Sequence, residues 1–150
     1  MSDNYRVNPP LNTHKLDMAW INYEANKSLC EMFPEEKKPV LKWKREAAKS
    51  LDYITSHAAP FVVSLRVGGC SYSAMPEILS IPDKAIGAIK DSDYFLAAIE
   101  RWLIRIGIAK FAKMVSDENT TTSMWLIGYF DLSDDDAMRL LEKVYALGIE

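Results

Sequence analysis

Four side chains in this sequence have the chemistry of metal binding or nucleophilic attack: Cys30, Cys70, His14 and His57. Their spacing works against a zinc site, since neither C-x-x-C nor H-x-x-x-H occurs. Cys30 falls on the apolar side of an expected helix, where a thiol acts as a small buried hydrophobe. Cys70 follows Gly68-Gly69 and precedes Ser71. A loop of that kind can present a thiol at a helix start, where the helix field favours the thiolate. A thiol enzyme built on Cys70 and His57 is therefore the third-ranked reading. Other catalytic signatures are missing. Gly68-Gly69 is not followed by the Lys-Ser/Thr pair of a phosphate loop, and no G-x-S-x-G elbow occurs. Asp131, Ser133, Asp135 and Asp136 resemble part of a calcium loop, but Asp136 occupies the position that needs glycine. Helix capping accounts for them better: Ser133 with Asp136 three residues on matches a capping box. The sequence thus predicts no catalytic residue, no cofactor and no metal.

The more informative pattern is a row of cations. Lys38, Lys42, Arg45 and Lys49 are spaced by four, three and four residues. At 100° per residue they lie within about 60° of one another. Val40, Trp43, Ala47, Leu51 and Ile54 form an apolar stripe on nearly the opposite side. A helix packed through that stripe presents four cations to solvent. Between Lys37 and Lys49 there are six cations and one acid, Glu46, a net charge of +5; Val115 to Glu150 carries two cations and eight acids, a net of −6. Within that acidic segment Asp131, Asp134 and Asp135 form a secondary acidic patch. Such a cationic row can dock on a charged protein, or track a phosphate backbone with release of counterions. It can also be a plain solvated face.

The elements that position these residues read as helices. An arm over 1–12 carries Pro9-Pro10 and no apolar periodicity. Thr13 then caps a first helix bearing Leu16, Trp20, Tyr23, Cys30 and Phe33, ended by Pro34. The second helix starts near Lys38-Pro39, and Pro60 limits its extent. The runs 61–67 and 125–130 suit either short helices or strands. Two strands alone would be marginal, which favours helix. Ser80 is expected to cap a short helix from Pro82 to Lys90. Ser92 to Val115 reads as one long helix with Ile99, Leu103 and Ile106 inside; its apolar positions cover two broad arcs, as for a helix surrounded by protein. A last helix follows Ser133 and ends at Gly148. Trp20, Trp43, Trp102 and Trp125 all sit at apolar positions and read as core. Met18 and Met32 read as core gap-fillers or as part of an adaptable surface.

The chain has 150 residues, 49% of them hydrophobic, with 18 basic and 21 acidic side chains and a net charge of −3. That excludes a strongly basic nucleic-acid protein and a charge-rich disordered chain. The longest run without Asp, Glu, Lys or Arg, Tyr53 to Leu65, is short of the roughly 18 residues of a membrane span. The polar start, Met1 to Pro10, lacks the apolar core of a signal peptide, so a soluble, cytoplasmic protein is expected. The expected fold is mostly all-α: an arm over 1–12 and a single compact domain over 13–150, with five or six helices around the Ser92–Val115 segment. The alternative is α+β, with a two-stranded element from 61–67 and 125–130. The leading function is a non-catalytic interaction module: a small helical subunit, adaptor or inhibitor acting on a larger protein or complex. The alternative is an accessory subunit of a ribonucleoprotein or DNA-processing complex, contacting the nucleic-acid backbone through Lys38, Lys42, Arg45 and Lys49.

Overall fold

Asn12 opens the first helix by accepting a hydrogen bond from the Lys15 backbone N–H at 3.0 Å. Asn12, and not Thr13, is therefore the cap, and Thr13 is the first residue of α1 (Thr13–Met32). The computed structural model describes residues 11–147, so most of the expected arm and the expected stop at Gly148 lie outside the described residues. Over the described range the chain is all-α, with eight α-helices and no strand. It divides into two compact units, Met1–Phe95 and Leu96–Glu150.

In the first unit α1 packs against α2 (Lys37–Val67) as a hairpin. Pro39 lies in the first turn of α2, where its missing N–H costs nothing. Pro60, expected to end the helix, lies inside it. Ala58, Ala59, Val62 and Val63 are buried on either side, and their packing holds a helix that the proline alone would break. Residues 61–67 are thus the last turns of α2, which removes one strand of the α+β alternative. Gly68-Gly69 ends the helix, and Gly69 at φ +97 takes a conformation that disfavours L side chains. A 3₁₀ turn (Tyr72–Ala74) leads into α3 (Met75–Leu79) and α4 (Asp83–Lys90). The Tyr72 ring lies 4.1 Å from the Lys90 ammonium and 5.4 Å from the Arg66 guanidinium, tying this turn to the ends of α4 and α2. Ser80 does not cap α4. It closes α3 in the left-handed conformation at φ 60, and Pro82 precedes α4.

The expected long helix is two helices. α5 (Asp93–Ile106) stops at Gly107, whose φ of 87 and ψ of 139 suit glycine, and α6 (Ile108–Asp117) starts beyond it. The two apolar arcs are two one-sided stripes. Phe95, Ala98, Ile99 and Leu103 are buried on α5, while Ile108, Phe111 and Val115 are buried on α6. Ile99 and Leu103 are interior as expected; Ile106, at the break, is only half-buried.

In the second unit α6 packs on α7 (Thr122–Phe130), and α7 on α8 (Asp134–Ala146). The run 125–130 is helical, so the second strand of the alternative is absent too. Trp102, Phe111, Trp125, Tyr129 and Phe130 form an aromatic cluster, in which Trp125 stacks on Tyr129 at 4.5 Å and on Trp102 at 5.9 Å. Of the four tryptophans Trp20 is buried, and the other three are half-buried. Ser133 caps α8 by accepting from the Asp136 N–H at 3.1 Å, as the capping box predicts. Among the described residues no helix is long and apolar enough to cross a membrane.

Candidate interaction surface

The cationic row stands on α2 because α1 anchors the opposite side of that helix. Phe33 packs on Trp43 with ring centroids 6.2 Å apart, and the Cys30 thiol lies 3.9 Å from the Val40 carbonyl. Asn22 Nδ2 donates to Ser50 Oγ at 2.6 Å. Asn26, buried at the hairpin seam, donates to the Asn22 carbonyl at 2.8 Å and to Asn22 Oδ1 at 3.1 Å. The Asn22–Ser50 bond and the Phe33–Trp43 contact link α1 to α2, while the bonds of Asn26 stay within α1. Ala47 and Ile54 are accordingly buried, with Val40, Trp43 and Leu51 half-buried.

Lys38, Lys42, Arg45 and Lys49 are all exposed, as are Lys37 and Lys44. None of the six forms an ion pair with a described residue. The row ends at Asp52, one step beyond Lys49, and the sequence reading did not single this residue out. Its Oδ1 accepts a 2.6 Å hydrogen bond from the Tyr94 hydroxyl at the start of α5. That bond, with the carboxylate charge behind it, holds the Tyr94 phenol above its ordinary pKa.

The other singled-out residues are placed apart from one another. The Cys70 thiol donates to the Ser71 carbonyl at 3.4 Å, while His57 Nδ1 sits 2.8 Å from the Tyr53 carbonyl within α2. Among the described residues no hydrogen bond joins Cys70 to His57, and no group of three or more His, Cys, Asp or Glu side chains could hold a metal. Asp131, Asp134 and Asp135 are exposed. Asp131 ends α7 in the left-handed conformation, and the other two lie in the first turn of α8, where the helix field favours acids. Asp136 is ion-paired with Arg139.

One feature of α1 escaped the sequence reading. Met18, Ile21 and Met32 are exposed on the side away from Leu16 and Trp20, so Met18 and Met32 belong to the surface and not to the core. The signal was present as a second three-and-four spacing through Met18, Ile21, Ala25, Ser28 and Met32. Between α1 and α4 lies an open groove of about 510 Å³, floored by Trp20, Tyr23 and Ala88 and edged by Glu24, Lys84 and Asp91. Its edge mixes both signs of charge.

Comparison with protein families, curated proteins and solved structures finds no match to this chain.

Proposed function

We propose that the chain is a non-catalytic interaction module, a small helical subunit or adaptor that docks on another protein through the outer face of α2. One observation carries this reading. Four cations at Lys38, Lys42, Arg45 and Lys49 are held in an exposed row, without ion partners among the described residues, on a helix whose opposite face is locked by α1. Rigid presentation lowers the ordering cost of docking, and a single-sign row steers a partner of opposite sign. Two free thiols, Cys30 and Cys70, suit a reducing, cytoplasmic setting.

A second reading, contact with a nucleic-acid backbone, is favoured by the step of about one helical turn between successive cations. Salt separates the two. Reversing all four cations to Glu should weaken binding with little effect on folding, since exposed charge changes cost within about 0.5 kcal/mol. Phosphate contacts would make log affinity fall steeply with log salt, and losing four of them would flatten that slope by roughly three to four units. A protein partner would show its change mainly in association rate, with a weaker salt dependence.

A further inference from the structure

The outer face of α1 carries a stripe for which the core has no use. Met18 is 51%, Ile21 53% and Met32 67% exposed, and Ala25 and Ser28 between them are exposed too. At 100° per residue these five fall within an arc of about 80°, the a/d seam of a coiled coil. Beside the seam runs a row of acids spaced by seven: Asp17, Glu24 and Glu31. None of them is ion-paired with a described residue. In heptad terms they occupy the position just before each a residue, the g position.

The outer face of α2 has the matching pattern with the opposite sign. Leu41, 59% exposed, and the exposed Ala48 are seven residues apart and take the d position. Lys42 and Lys49 follow them at e, and Lys38 and Arg45 fall at a, where their aliphatic stems can cover apolar surface. In a parallel helix pair the g side chains of one helix face the e side chains of the other. An α1 face laid parallel to an α2 face with Ile21 against Leu41 therefore sets Asp17 against Lys42 and Glu24 against Lys49, over a seam of Met18, Ile21, Leu41 and Ala48. The other pairings are poorer. Two α1 faces laid antiparallel oppose acid to acid, and two α2 faces crowd cation on cation.

We infer that the protein surface met by the α2 row is the α1 face of a second copy of this chain. The inference rests on the reading of α2 as a protein-docking face and names its partner. The contact joins two different faces, so two copies close into a dimer where a two-fold axis lets both contacts form at once, and otherwise assembly proceeds head to tail.

Sedimentation equilibrium of the whole chain tests this. The wild-type mass should rise with concentration and fall with salt, because the flanking charges are screened within a Debye length of about 10 Å at 0.1 M. The double variant Asp17→Lys/Glu24→Lys and the double variant Lys42→Glu/Lys49→Glu should each be monomeric alone. Mixing the two should restore association, because each keeps the face that the other lacks. Ile21→Ser, which changes no charge, should also weaken association and serves if a reversal perturbs folding; helix content by circular dichroism checks every variant. A wild-type chain that stays monomeric at about 1 mM, the weak end of specific binding, overturns the inference. So does a mixture that fails to associate, or a monomeric wild type that binds a short DNA duplex through the α2 row. A monomeric wild type that still needs the α2 row to hold a different protein overturns this inference and leaves the proposed function standing.

Discussion

Cys70 and His57 show how little a residue type says without its company. The Cys70 thiol donates to its neighbour's carbonyl and the His57 ring lies against the preceding turn of its own helix, and among the described residues no hydrogen bond joins the two. Cys70→Ser and His57→Ala should each leave partner binding unchanged in a side-by-side affinity measurement; a loss of function at unchanged stability would restore the thiol reading. Tyr94 carries a different consequence. Its phenol is held above its ordinary value by Asp52, so folding favours the protonated form. The resulting stability is fully present below the unfolded value of about 10 and is lost as pH rises through the higher folded value. Melting temperatures from pH 8 to 11 should therefore fall more steeply for wild type than for Tyr94→Phe. Equal slopes would mean that the bond to Asp52 contributes nothing. The cap at Ser133 was legible because its signal is entirely local. Thr13 and Ser80 were misassigned as caps because a nearby residue, Asn12 and Pro82 respectively, takes that place, and packing decides between them.

The elements were legible wherever one apolar face repeats at helical spacing, as in α2 and α8. They were misread where one signal had two explanations. The run from Phe95 to Val115 covers two arcs, which fits one helix buried all round or two helices buried on opposite sides; Gly107 in its middle was the clue that decides for two. Leu103→Ala should then cost about 2–5 kcal/mol in chemical unfolding, as for a buried leucine. Ile106→Ala, at the half-buried break, should cost clearly less. Similar losses at both would put Ile106 back in the core. Gly107→Ala should cost about 1–3 kcal/mol from backbone strain alone, and a neutral result would argue for a continuous helix. Pro60 misled in the opposite direction, because a proline weakens a helix by an amount that burial on both sides can offset. In α1 the stripe through Leu16 and Trp20 accounted for the helix, and the second stripe through Met18 and Ile21 went unread because a one-faced helix needs only one.

Across the whole molecule, charge segregation was legible from the sequence, while its use depends on which faces the hairpin leaves open. Packing α1 against the apolar side of α2 turns the cationic row outward, and the same packing leaves the Met18–Met32 stripe uncovered. The proposed interaction surface therefore lies on the hairpin, whose outer faces carry the exposed cations and the exposed Met18, Ile21 and Met32. The most direct test of that assignment is binding by the wild type and by the variant Lys38→Glu/Lys42→Glu/Arg45→Glu/Lys49→Glu, measured side by side in nuclease-treated host extract. Both chains should show the same helix content and melting temperature. The wild type should retain a protein partner, a second copy of the chain included, that the variant does not hold. Equal retention by both chains would contradict the account and leave the row as a solvated surface.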